Sequence, residues 1–162
     1  MSSTTASAGE LTITRLYDAP RALVYKMWTD PALVQKWWAP EGFTNPVCEW
    51  DARAGGAIRI VMRAREDIAA MIGGADHPMK GVFQEVVPNE KLVFTNIAVD
   101  EDGKHLIDGL TTVTFADEGG KTRLVMHTSV TGVSPLAPQM IAGMEAGWSQ
   151  SLDKLRDLIA QH

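Results

Sequence analysis

The chain has 162 residues, of which 45 % are hydrophobic and 22 % charged, and its net charge is −5. A domain of this size buries roughly 68 to 70 % of the surface its unfolded form exposes, so one core suffices. The acidic balance and scattered basic residues lack the electrostatic footprint of a nucleic-acid binder, and no apolar run approaches the roughly 20 residues of a membrane span.

Residues 1–9, Met-Ser-Ser-Thr-Thr-Ala-Ser-Ala-Gly, have neither the basic nor the apolar region of a signal peptide and read as a disordered tail. Residues 10–162 read as one domain, with a cytoplasmic location expected. The single cysteine, Cys48, has no intramolecular disulfide partner. No Lys, Arg or His adjoins it in Val-Cys-Glu-Trp, so it reads as a small inert hydrophobe rather than a nucleophile.

Alternation from Leu11 to Tyr17 predicts a first strand. Asp18 followed by Pro20 predicts the cap of a short helix over Ala22 to Trp28, and Thr29-Asp30-Pro31 predicts a second over Pro31 to Trp38, ended by Pro40 and Gly42. Strands are then predicted around Val47–Asp51, Ala57–Arg63, Met79–Val87, Leu92–Val99, Ile107–Ala116 and Thr122–Val130. Their joints carry turn residues: Gly55-Gly56, Pro88-Asn89, Asp100 to Gly103 and Gly119-Gly120. Short sequential links imply an antiparallel meander of seven strands. Arg65 to His77 shows no clean period and reads as a connection, serving either as cover for a site or as rim packing.

Ser134-Pro135 predicts the start of the longest helix, with Met140 or Ile141, Met144, Trp148, Leu152, Leu155 and Ile159 on one face. Gly143 and Gly147 on that helix call for either close approach of a strand or room beside the helix, since an interior glycine costs about 1 kcal/mol against alanine. Of the five tryptophans, three lie between Trp28 and Trp38, with Trp50 and Trp148 further on. Each large aromatic ring buries roughly 150 to 250 Å², so these positions mark the inside.

The succession of one strand, two short helices, six strands and a long amphipathic helix resembles the α+β helix-grip fold of START-like and birch-pollen-allergen-like domains. There a curved seven-stranded antiparallel sheet wraps the last helix. The likeness sharpens at Asp18-Ala-Pro20-Arg21, Trp28-Thr-Asp-Pro31, Trp37-Trp38-Ala-Pro40, Asp51-Ala-Arg53-Ala-Gly55-Gly56, Gly81-Val-Phe-Gln-Glu85, Pro88-Asn-Glu90-Lys-Leu92-Val-Phe94 and Gly143-Met-Glu-Ala-Gly147-Trp148. These words are similar to the SRPBCC subfamily named for the activator of the heat-shock-protein-90 ATPase, in its single-domain bacterial form. Tyr25 stands where that pattern usually has Trp, and Met27 where a small residue is common.

The resemblance implies a site between sheet and last helix. Strand phase places Ile60, Met62, Phe83, Phe94, Phe115 and Met126 on the facing wall, with Trp28, Met144, Trp148 and Leu152 joining from the helices. The same side chains also serve as ordinary core. Tyr25 and Glu85 are the candidate polar groups of the cavity, Glu85 because it shares the phase of Phe83.

The expected ligand is a small apolar molecule bound between the sheet and the last helix. The family name implies a chaperone as an alternative partner, with modulation of a heat-shock-protein-90-type ATPase. However, the extra N-terminal chaperone-binding domain of the eukaryotic activators has no counterpart in this sequence. Cyclase- or aromatase-like catalysis in the same cavity is a third alternative, with no catalytic residue assigned. His77, His105, His127 and His162 lack ligand spacing, so neither zinc nor a cofactor is expected.

Overall fold

The computed structural model describes residues 8–72, 74–132 and 141–162. Its elements, in chain order, are β1 (Ala8–Tyr17), α1 (Arg21–Thr29), α2 (Pro31–Trp37), β2 (Phe43–Trp50), β3 (Ala57–Ala64), α3 (Glu66–Ile72), β4 (Asp76–Val87), β5 (Lys91–Val99), β6 (His105–Glu118), β7 (Lys121–Gly132) and α4 (Met144–Ala160). The seven strands form one antiparallel sheet in the order β1-β7-β6-β5-β4-β3-β2. The meander runs from β2 to β7, and β1 closes on β7, so the first and second strands lie at opposite edges.

Register interruptions at Thr44/Val47, Phe83/Glu85 and Ala98/Val99 each bend a strand and increase its local twist, which curves the sheet. One face is concave and apolar. Ile58 and Ile60, Phe83, Leu92 and Phe94, Val113 and Phe115, Leu124 and Met126 all point into it and are buried. The other face carries ion pairs such as Glu49–Arg59 and Glu85–Lys91.

The helices fill the concavity from one end. Asp30 caps α2, its side chain accepting from the Ala32 N–H at 3.0 Å, with Pro31 at the first helical position. Asp18 does not play that part for α1, whose cap position is Pro20 and has no side-chain bond. The cap falls two residues after Asp18, and Ala19 between them is held inward, its carbonyl accepting from the buried Thr122 hydroxyl at 2.7 Å. α2 packs on β2 and α4, and α1 packs on β6, β7 and α4.

α4 lies across this end with Leu152, Leu155, Leu158 and Ile159 buried. Three bonds fix its height: Tyr17 Oη donates to the Leu152 carbonyl at 3.0 Å, Lys154 Nζ donates to the Ala39 carbonyl at 3.1 Å, and Arg15 pairs with Asp153 at 2.5 Å.

Two expectations shift. β1 begins at Ala8, inside the stretch read as a tail, because Ala8 and Gly9 pair with Thr131 and Val130. The connection from Arg65 to His77 contains the helix α3, which is too short for a hydrophobic period to show. The Ser134-Pro135 start of the last helix lies outside the described residues.

Gly143 sits at the cap of α4, so Gly147 is the one interior glycine among the described residues of that helix. A Cβ built at Gly147 meets only Pro40 Cγ, at 3.9 Å, which is ordinary contact and not close approach of a strand. Gly147→Ala is therefore expected to stabilise the fold by about 0.5 to 1 kcal/mol, read as a higher urea midpoint with unchanged slope.

Candidate functional site

The inward wall divides into two zones. At the end covered by α1 and α2, aromatic rings fill the space between sheet and helix. Trp28 lies 4.6 Å from Trp37 between ring centroids, and Trp38 lies 5.2 Å from Trp50 and 5.1 Å from Trp148. Phe94 touches Trp28, Trp38, Trp50 and Phe83 at 5.2 to 6.5 Å. Phe115 joins Trp28 to Tyr25, whose ring stands edge-on to it at 5.4 Å. All five tryptophans thus belong to one network, and tilted or edge-to-face pairs of this kind add about 0.5 to 1.5 kcal/mol each beyond their area.

Two of the indoles find backbone partners. Trp37 Nε1 donates to the Met27 carbonyl at 2.9 Å and Trp50 Nε1 to the Trp28 carbonyl at 2.7 Å, which ties α1 to α2 and β2. Trp28 is fully buried, and its Nε1–H has no hydrogen-bond partner among the described residues. Asn45 fixes the loop after α2 by donating to the carbonyls of Gln35 and Trp38.

The second zone lies toward the ends of β3 to β6, beyond the cover of α1 and α2. Cross-strand pairing sets Ile60, Met79, Ala98 and Ile107 in one row, and Asn96, Gly109 and Val130 in the next. Met62, Met79, Asn96 and Ala98 are only half-buried although they face the concave side. Across from them α4 presents Trp148 and Met144, both half-buried. Met144 and Ile141 pack with Ile107, Val130 and Ala98 as a small cluster of their own, separate from the main core.

A polar row crosses this wall. Thr111 Oγ1 lies 2.7 Å from Asn96 Oδ1 and 2.9 Å from Thr128 Oγ1, and both threonines are fully buried. A carboxamide oxygen only accepts, so Thr111 gives its one hydroxyl proton to Asn96 and Thr128 donates to Thr111. The two N–H donors of Asn96 have no acceptor among the described residues. Its side chain lies against Gly109, where a Cβ would come within 2.8 Å of Asn96 Nδ2 and of its carbonyl, so only glycine seats it there.

The residues expected to line a site from sequence separate accordingly. Trp28, Ile60, Phe83, Phe94, Phe115, Met126 and Leu152 are buried in the main core, with Met62, Tyr25 and Trp148 at its margin. Met144 stands apart from them in the small cluster.

Glu85 is corrected. It points outward, is 48 % exposed and pairs with Lys91 at 3.0 Å. The bulge between Phe83 and Glu85 inserts a residue, so the inward phase passes from Phe83 to Val86, opposite the buried Leu92. Tyr25 keeps a half-buried position, and burial raises its hydroxyl pKa above the ordinary value.

Asn96, Thr111 and Thr128 escaped the sequence reading. The signal was present, because each lies two residues from an inward side chain, Phe94, Val113 and Met126 respectively.

Two surface hollows lie elsewhere. One, of about 360 Å³, is lined by Gly42 to Thr44 and Arg63 to Arg65, and the other, of about 340 Å³, by Gly9, Glu10 and Ser129 to Thr131. Among the described residues no three His, Cys, Asp or Glu side chains gather as a metal set. No helix among them is long and apolar enough to cross a membrane.

A curved antiparallel sheet gripping a C-terminal helix is the helix-grip architecture of START-like domains. The profile of the family described as "Activator of Hsp90 ATPase homolog 1-like protein" matches residues 18–160, and the chain belongs to that family. Solved structures agree. A protein from Chromobacterium violaceum is 30 % identical with a TM-score of 0.73, covering 93 % of this chain and 96 % of its own. One from Mycobacterium smegmatis is 25 % identical with a TM-score of 0.73, covering 92 % and 89 %. The AHSA1 protein from Silicibacter pomeroyi shares the fold at 23 % identity and a TM-score of 0.76, covering 95 % and 100 %. No curated protein matches the chain.

Phe94 is the hub of the filled zone, so Phe94→Ala is expected to cost about 3 to 5 kcal/mol in chemical denaturation. Cys48 is half-buried under α2, 3.7 Å from the Pro31 carbonyl, and burial pushes its thiol up to about 11. At pH 8 only about a thousandth of it is thiolate, so a thiol reagent is expected to label the native protein far more slowly than the urea-unfolded chain.

Proposed function

We propose that this protein binds a small, largely apolar molecule in the open zone between the sheet and the N-terminal half of α4. The observation that carries this reading is the half-buried state of Met62, Met79, Asn96 and Ala98 on the concave wall, with Met79 and Ala98 lying between the buried Ile60 and Ile107 of their row, while Phe83, Phe94 and Thr111 further along the same face are sealed. An apolar surface with a few convergent polar groups is the ordinary make-up of a small-molecule site. Methionines at 62, 79 and 144 give it an adaptable lining. Trp148 marks the boundary between the zones, its ring standing nearly perpendicular to Trp38 of the filled zone at 5.1 Å. The candidate ligand-contacting set narrows to Met62, Met144 and Trp148 from the sequence reading, joined by Met79, Asn96 and Ala98.

The second reading, modulation of an Hsp90-type ATPase, is supported by the family match and by the filled aromatic zone, which suits a protein acting through its surface. Enzymatic turnover in the cavity loses Glu85, which leaves Tyr25 as the polar group on that side.

A panel of alkanols, alkanones, alkanoates and naphthols separates the readings. At least one member is expected to raise the melting temperature, by the mass-action stabilisation a native-state ligand supplies, and to shift tryptophan emission in the wild type but much less in Trp148→Phe. A panel without effect, together with an altered turnover of a bacterial Hsp90-type chaperone on adding this protein, would replace the first reading by the second.

A further inference from the structure

The wall of the open zone is uncharged as well as concave. At this end of the face the one ionisable side chain among the described residues is His77. It stands at the margin, its Nε2 donating to the Gly74 carbonyl at 3.0 Å and its ring against Phe43. The charges of the same strands lie on the other face or at the rim: Arg63 is paired with Asp76, Lys80 is exposed, and Asp108 is paired with His105. The described residues at the end of β7 and the start of α4, Thr128 to Gly132 and Ile141 to Met144, are all uncharged.

A carboxylate or ammonium placed here would lose its water and find no counter-ion, which is the costliest way to bury a polar group. A neutral oxygen meets a different surface. The Thr128–Thr111–Asn96 chain runs in one direction and ends in two amide N–H donors that the described protein atoms leave unused. Gly109 beneath the amide and the bond from Thr111 hold those donors in a fixed orientation, so little rotamer freedom is lost when they are engaged.

We propose that this face selects an uncharged apolar molecule carrying a hydrogen-bond-accepting oxygen, as in a ketone, ester or amide, with the Asn96 carboxamide as its polar anchor. The inference rests on the ligand-binding reading above and adds the chemical class of the ligand. Asn96 supplies the donors, whereas Thr111 and Thr128 act through it as positioning residues. Met79 and Ala98 flank it for the apolar body.

The test compares methyl hexyl ketone with octanoate, matched in carbon number, by calorimetric titration of the full chain near neutral pH. The ketone is expected to bind at least about tenfold tighter than octanoate, a difference of the size one well-formed hydrogen bond can supply. It is also expected to shift the Asn96 side-chain amide resonance in isotope-edited NMR of the unmutated protein. In Asn96→Leu, which keeps the shape but removes the donors, ketone affinity is expected to fall about tenfold, so that the preference for ketone over octanoate is lost. Should the variant fail to fold, the resonance shift in the wild type still decides.

Octanoate binding as tightly as the ketone, or a bound ketone that leaves the Asn96 amide unmoved, would overturn the selectivity and leave the binding site standing. If other members of the panel bind but neither of these two does, the selectivity is likewise overturned. Failure of the whole panel removes both.

Discussion

The fold turns on Trp38. It is the residue after α2, and its ring is wedged among Trp37, Trp50, Phe94 and Trp148, so a single side chain joins α2, β2, β5 and α4. Edge-to-face and tilted contacts of this kind are directional, which fixes the rotation of α4 about its axis as well as its distance from the sheet. The stripe of Leu152, Leu155 and Ile159 then follows the same orientation into the core. Without the wedge, an amphipathic helix on a curved sheet would have many nearly equivalent placements, because aliphatic packing alone is not directional.

The next residue shows what this arrangement requires. Ala39 has φ of 89°, a left-handed conformation that an L-residue adopts at a cost of about 1 to 2 kcal/mol. The strain is held from both sides: the Ala39 carbonyl accepts from Lys154 on α4, the Trp38 carbonyl accepts from Asn45 on β2, and the Glu41 N–H donates to Gln150. Lys154 is half-buried, and desolvation lowers the pKa of its ammonium. The tight reversal through Trp37-Trp38-Ala39-Pro40 therefore exists because three elements converge on it, and its geometry points the Trp38 ring inward.

Much of this architecture was legible from residue order. The Thr29-Asp30-Pro31 cap, the turn at Pro88-Asn89, the six strands of the meander and the inward phase of Phe94, Phe115 and Met126 all rest on local rules that the structure obeys. What escaped is instructive about those rules. Strand phase failed at Glu85 because a bulge between Phe83 and Glu85 resets it, and a bulge leaves no mark in a hydrophobicity pattern. α3 was missed because seven residues give less than two turns to judge. Asn96 was within reach of the same phase argument that found Phe94, but a polar residue at an inward position attracts attention only once its burial is known. Among the described residues, the division of the wall into a sealed and a half-buried zone depends on how far α1 and α2 extend across the sheet, which no pattern along the chain encodes.

The second, small cluster has a consequence for how this molecule breathes. The C-terminal half of α4 is pinned by leucines, a tyrosine and an ion pair, while among the described residues its first turn contributes Met144, with the preceding Ile141, to a small cluster against Ile107 and Val130. A helix anchored so unequally behaves as a cantilever: separating its weak end exposes only a few side chains, whereas lifting the strong end means dismantling the whole aromatic network. Opening of the helix start and unfolding of the protein therefore lie on separate energy scales, so exchange with solvent at one end can be frequent without endangering the other.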